Sequence, residues 1–204
     1  MNSRKSVYSA LFSIILTGMI AIITACTSVS NIPVMPAIAV SRTIYSTPTR
    51  GVKSLELFFL SHRPKANKWL VRTMARLYLE ECAAEGINSD VAFIQMCHET
   101  NFLEYGNLVT KDMNNFCGLG AIGPEQRGLK FATKRLGVRA HVQHLHAYGT
   151  TEDIKLNNEL IDPRYKYVRP RGKAPDIAGL TGTWAADPAY AEKLERYLCE
   201  LENF

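Results

Sequence analysis

AFIQMCHETNF, residues 92–102, is the stretch on which the reading of this chain turns. From Val91 to Cys97 apolar residues fall on nearly every face of a helix, so the segment is expected to be buried. Asn88 and Ser89 are suitable N-caps ahead of it, and Asp90 sets an acid where the helix dipole favours one. The helix ends in Glu99. A carboxylate at the mouth of the most hydrophobic helix in the chain needs a reason, because burial disfavours its charged form and pushes its pKa towards neutrality. Hydrolysis of a glycosidic bond needs a carboxyl that still holds a proton for the departing sugar oxygen. The competing reading of Glu99 is an exposed helix-terminal residue or half of an ion pair.

Working outward, Leu70, Met74, Leu77, Tyr78 and Cys82 recur at helical spacing between Ala66 and Ala84, an amphipathic helix that Gly86 stops. Beyond Glu99, residues 101–130 carry Gly106, Gly118, Gly120, Gly123, Pro124 and Gly128, which read as turns and a short hairpin. Helical character returns from Lys130 to Tyr148 and again from Pro188 to Leu201, with Asp187 as the cap of the last helix and Pro188 in its first turn. The polar, Pro/Gly-rich segment 149–183 is too long for an idle connection and is expected to wrap or line a groove. The fold class is mainly α, in one domain from 55 to 204.

The N-terminus is a separate matter. Arg4 and Lys5 precede a mostly apolar run from Tyr8 to Ile23 that ends in Ala25, the build of a secretory signal peptide over residues 1–25. The run is shorter than the roughly 20 apolar residues that span a bilayer. Ile23, Thr24, Ala25 and Cys26 resemble a bacterial lipobox, which makes Cys26 the lipidated first residue of the mature chain. Residues 26–54, with Pro33, Pro36 and Pro48, read as a flexible tether to a cell-envelope, periplasm-facing domain. Loss of Arg4 and Lys5, and of no acid, takes the formal charge from +5 to +3. That mild excess suits an anionic wall polymer and is too weak to suggest nucleic acid.

The run at 92–102, Gly106 and Asn107, NNFCGLGA at 114–121, GVRAHVQHLHAYG at 137–149 and GTWAADPAYAEKLERYL at 182–198 together resemble the glucosaminidase family of glycoside hydrolases. The resemblance runs in order through about 55–204. It implies a lysozyme-like helical fold with a small mobile β lobe, and peptidoglycan glycan strands as the substrate. It also implies that Glu99 is the catalytic acid, that Asn115 and Phe116 lie under the sugar, and that the Tyr190 hydroxyl enters the groove. Trp184 is then a stacking platform for a sugar face or, on the plainer reading, a core aromatic.

Glu125, in the Gly/Pro-rich middle segment, is the candidate second carboxylate, with Glu104, Asp112 and Asp153 as alternatives. No metal or cofactor is expected. His141, His144 and His146 form HxxHxH without a nearby acid or thiol to complete a ligand set, and His98 with Glu99 makes only half of HExxH. Cys82, Cys97, Cys117 and Cys199 allow three disulfide pairings or none. The function expected is an endo-β-N-acetylglucosaminidase of peptidoglycan. Two alternatives stand beside it: a lytic transglycosylase, which uses a similar acid but leaves anhydro ends, and a non-catalytic wall-binding lipoprotein.

Overall fold

The computed structural model describes residues 38–204; the expected signal peptide and Cys26 lie outside the described residues. The central element is α3 (Ser89–Glu99), which touches the other four α-helices: α1 (Val52–His62), α2 (Lys68–Glu85), α4 (Lys134–Gly149) and α5 (Tyr190–Leu201). Every residue of α3 from Ser89 to Cys97 is buried, as its all-round apolar pattern predicts. Burial of Phe93, Ile94 and Met96 alone stabilises the fold by about 1.5–3 kcal/mol each. The Asn88 side chain caps α3 by accepting from the Asp90 N–H at 2.9 Å.

Local signals also hold at α2. Asn67 accepts from the Leu70 N–H at 3.0 Å, and Gly86 ends the helix in the left-handed conformation at φ 70°. A Cβ on Gly86 would lie 2.6 Å from the Tyr45 ring, so the position needs glycine for space as well as for conformation. The hairpin expected in the middle segment is β1 (Ala121–Gly123) against β2 (Gln126–Arg127), antiparallel, with Ala121 facing Arg127. Among the described residues the architecture is mainly α, five α-helices and a small hairpin lobe, in keeping with a lysozyme-like fold.

Three expectations need correction. The composition predicts a tether to residue 54, yet the described part of that segment is folded. Val40 and Ile44 are buried, and α1 begins at Val52. Backbone groups here pair with distant partners: Ile44 N–H with Pro175 O at 2.9 Å, and Thr49 N–H with the Asp90 carboxylate at 2.7 Å. A stretch without local period is ordered because buried polar groups elsewhere in the chain, Asn88 and Asp90 above all, complete its hydrogen bonds.

The last helix starts at Tyr190, not Pro188. Asp187 instead closes the preceding turn by accepting from the Ala189 N–H at 3.0 Å. Lastly, 149–183 wraps the domain without lining the principal cavity. It is spent on joining α2 to α4, for example through Asn157 and Asn158 to Glu85 and through Gln143 to Glu159 O.

Candidate functional site

Glu99 closes α3 at the edge of a cavity of about 360 Å³, lined also by Asn101, Tyr105, Asn115, Ala121 and Trp184. Directly after Glu99 the chain makes a left-handed turn of ordinary residues, with φ of 48° at Asn101, 52° at Phe102, 62° at Leu103 and 65° at Tyr105. Each costs roughly 1–2 kcal/mol. The turn is held by Phe102 N–H to Cys97 O at 2.8 Å and Tyr105 N–H to Thr100 O at 2.7 Å. Arg63 grips it from outside, donating to Phe102 O and pairing with Glu104, both at 2.9 Å. Strain of this kind persists where surrounding contacts over-determine it, and here it brings Tyr105 round to the cavity wall.

The carboxyl itself is asymmetrically held. Trp184 Nε1 donates to Glu99 Oε1 at 3.0 Å and the Tyr190 hydroxyl donates to the same oxygen. Oε2 has no hydrogen-bond partner among the described residues. A proton on Glu99 therefore sits on Oε2. Burial raises the Glu99 pKa, while the Tyr190 and Trp184 hydrogen bonds act in the opposite direction by favouring the anion. The arrangement suits an acid that keeps its proton at elevated pH and still has two donors ready for the carboxylate left behind.

Behind Tyr190 runs a buried chain of hydrogen bonds. Gln95 Nε2 donates to the Tyr190 hydroxyl at 2.8 Å, Gln95 Oε1 meets His141 Nε2 at 3.0 Å, and His141 Nδ1 meets the Tyr78 hydroxyl at 2.8 Å. Directions follow from the Glu99 end. With its one proton given to Glu99, Tyr190 must accept from the Gln95 amide nitrogen, which turns the Gln95 oxygen to His141. His141 then carries its proton on Nε2 and accepts from Tyr78 at Nδ1. Burial drives the His141 pKa down to about 3, so the ring is neutral, as this tautomer requires. Four donors in series all point towards Glu99, and each polarises the next.

Comparison with known proteins identifies the family. The family model described as "Glucosaminidase: Mannosyl-glycoprotein endo-beta-N-acetylglucosaminidase" matches residues 75–203. The chain belongs to the glucosaminidase family. It is a glycoside hydrolase. An uncharacterized protein of Borreliella burgdorferi is 39% identical over 159 residues, covering 76% of each chain. No solved structure matches this chain.

Within this glucosaminidase, the residues singled out from sequence fall into different places. Trp184 lines the cavity, and its ring also packs on His144 and Tyr148 with centroids 5.1 and 5.2 Å apart, so one side chain meets both the cavity and the core. Tyr190 is 2% exposed and its hydroxyl faces Glu99 rather than an open groove. Asn115 reaches the cavity wall, but its side chain clamps the lobe, donating to Leu119 O and Leu129 O at 2.9 and 3.0 Å and accepting from Leu119 N–H.

Phe116 is not under the sugar. It is buried in the main core and borders a second cavity, while its neighbours Asn115 and Cys117 line the first. Glu125 is exposed at the hairpin turn and is not part of the lining, although Ala121 of the same hairpin is. Glu104 and Asp112 are paired with Arg63 and Lys130, and Asp153 accepts from Thr151.

The three histidines of α4 have separate partners: Tyr78 and Gln95 for His141, Asp162 for His144, Tyr165 for His146. Among the described residues no group of three or more His, Cys, Asp or Glu is placed to hold a metal ion. Cys82, Cys97, Cys117 and Cys199 are free thiols, the first three buried. Gln95, His141 and Tyr78 were not foreseen as site residues. A signal existed for Gln95, a lone amide one helical turn before Glu99 in an otherwise apolar run, since a buried polar group must find partners.

Tyr190→Phe removes one donor from Glu99 and leaves Gln95 Nε2 without an acceptor. Stability is expected to fall by about 1–3 kcal/mol, the cost of a buried unpaired group. The Glu99 anion loses a hydrogen bond, so its pKa rises further and the alkaline limb of the activity profile moves to higher pH. Melting curves and pH–rate profiles check this together; an unmoved alkaline limb would detach Tyr190 from the acid.

Proposed function

We propose that this enzyme is an endo-β-N-acetylglucosaminidase of peptidoglycan in which Glu99 is the general acid. The observation that supports it best is the asymmetry at the carboxyl: Oε1 takes both protein donors, and Oε2 is left to carry a proton to an oxygen in the cavity. As the bond to the leaving sugar breaks, that proton moves from Oε2 to the glycosidic oxygen. The negative charge left on Glu99 is met by Trp184 and Tyr190 without rearrangement. Mass spectrometry of purified peptidoglycan after digestion tests the reading. N-acetylglucosamine at new reducing ends is expected; anhydro-muramic ends would make the enzyme a lytic transglycosylase, and binding without turnover would make it a wall-binding protein.

A glycosidase of this kind needs a second group, either a carboxylate or the acetamide of the substrate itself. Glu125 fills the first role only if the hairpin closes over the sugar, because its carboxyl stands outside the cavity lining. Glu125→Gln discriminates. A hundredfold or larger loss of turnover with glycan binding retained assigns the role to Glu125, whereas near-normal turnover leaves the acetamide as the second group.

Lipidation at Cys26 is the proposed means of attachment to the envelope membrane, facing the periplasm. The described residues are packed from Val40 onwards, so a tether from Cys26 cannot extend beyond that point. Cys26→Ala is expected to move the protein from the membrane to the soluble fraction on cell fractionation. An unchanged distribution would remove the anchor from the proposal.

A further inference from the structure

On the other side of Tyr105 from Glu99 lies a second cavity of about 330 Å³, and Tyr105 lines both. Its floor is apolar, built from Phe59, Val71, Met74, Leu103 and Phe116. Its rim is cationic: Arg63, Lys65, Lys111 and Lys134 border it, and no Asp or Glu does. Arg63 is already paired with Glu104. The three lysines are exposed and make no ion pair or hydrogen bond among the described residues. Asp112, next to Lys111, is spent on Lys130 at 2.8 Å, and Glu104 is spent on Arg63. A mature formal charge of only +3 is thus distributed so that three unpaired cations gather at one apolar hollow beside the catalytic cavity.

We infer that this second cavity receives the peptide arm of the glycan strand, its carboxylates on Lys65, Lys111 and Lys134 and its small aliphatic side chains on the apolar floor. The inference rests on the peptidoglycan reading above, in which alternate sugars of the strand bear such an arm. Two features carry it. One is charge complementarity between an acidic peptide and a rim without acids. The other is continuity, since the wall shared by the two cavities is the strained turn 101–105, and a sugar held against Glu99 has its peptide-bearing neighbour within reach across Tyr105. The arm then acts as a specificity element: it adds affinity for wall glycan over unsubstituted glycan of the same sugars.

The full-length chain carrying Lys65→Glu, Lys111→Glu and Lys134→Glu together tests this. All three positions are exposed, and at Lys134, the first residue of α4, an acid suits the helix start, so the melting temperature is expected to hold. On intact peptidoglycan KM should rise about tenfold at low ionic strength, with the gap narrowing as salt is added. On the same glycan stripped of its peptides by an amidase, variant and wild type should be alike. Equal KM for the two proteins on intact wall, or an equal loss on both substrates, would overturn the inference.

A second measurement is independent of turnover. A soluble muropeptide with free carboxylates, titrated into Glu99→Gln chain with and without the three lysine changes, should bind about tenfold more weakly when the lysines are reversed. Amidating its carboxylates should have a similar effect on the chain with the lysines intact. Indifference to both changes would overturn the inference even if the enzyme proves to be a glucosaminidase of peptidoglycan. Wild-type failure to cleave either wall substrate, with charge-dependent binding intact, would instead count against the catalytic reading alone.

Discussion

Glu99→Gln is expected to lower muropeptide release by at least about a hundredfold, the low end of what a positioned acid contributes, while fold and glycan binding persist. The geometry makes this a clean substitution. The amide oxygen can take the place of Oε1 and accept from Trp184 Nε1 and Tyr190, and the amide nitrogen then occupies the place of the protonated Oε2, shape retained but no proton to give. The leaving sugar would have to depart as an unstable alkoxide. Because burial raises the Glu99 pKa, the native state holds its proton to higher pH than the unfolded chain does. Native protein therefore binds more protons than unfolded protein between the ordinary carboxyl value and the raised one, and stability falls as pH rises through that window. The glutamine variant is free of this loss. It should match or exceed the wild type in melting temperature at neutral pH, with the difference vanishing below the ordinary carboxyl pKa. Near-normal turnover from a folded Glu99→Gln would sink the assignment of the acid.

The second large effect is expected at His141, which never touches the cavity. His141→Phe keeps a ring of similar size in a fully buried site but orphans the Tyr78 hydroxyl and Gln95 Oε1. Two buried unpaired groups cost about 2–6 kcal/mol together, against a typical total of 5–15 kcal/mol. At about 2–4 °C per kcal/mol for a chain of this size, the melting temperature should drop by roughly 10 °C. The pH dependence separates this from simple loss of packing. The folded His141 pKa of about 3 lies below that of the unfolded chain, near 6.5, so the unfolded state binds more protons between those values. Wild-type stability should thus fall on acidification from pH 6.5 towards 3. His146, lowered to about 4 by burial, contributes in the same direction and remains in the variant. The deficit of His141→Phe relative to wild type should accordingly shrink with acid, by up to about 1.4 kcal/mol per pH unit.

As a positioning residue, His141 should also move the chemistry. With the chain of hydrogen bonds cut, Gln95 is free to rotate, Tyr190 loses its orienting donor, and the alkaline limb of the rate profile should shift in the direction expected for Tyr190→Phe. A double-mutant cycle between the two positions should be strongly non-additive, because both act through one chain of hydrogen bonds. Additive effects, or a destabilised protein whose rate profile is unmoved, would reduce His141 to a core histidine.

What the sequence by itself determined is what short-range pattern can carry. The all-round apolar run of α3 required burial, Asn88 announced a helix start, Gly86 announced a stop, and a carboxylate at the end of the buried helix marked Glu99. Tertiary structure decided the rest, since the partners that define the site are far apart along the chain. Tyr190 stands 91 residues from Glu99 and 95 from Gln95, and Tyr78 stands 63 from His141. Nothing in the residues around Tyr190 says that its hydroxyl meets a carboxylate, nor around Phe116 that its ring turns to the core while Asn115 takes the cavity side. The stretch from Val40 to Arg50 makes the same point from the other end: a Ser/Thr/Pro-rich segment has no periodicity to read, and it is ordered because Asp90 and Asn88, some 40 or more residues away, satisfy its backbone. Periodicity reports which face a helix buries, and only packing reports what that face meets.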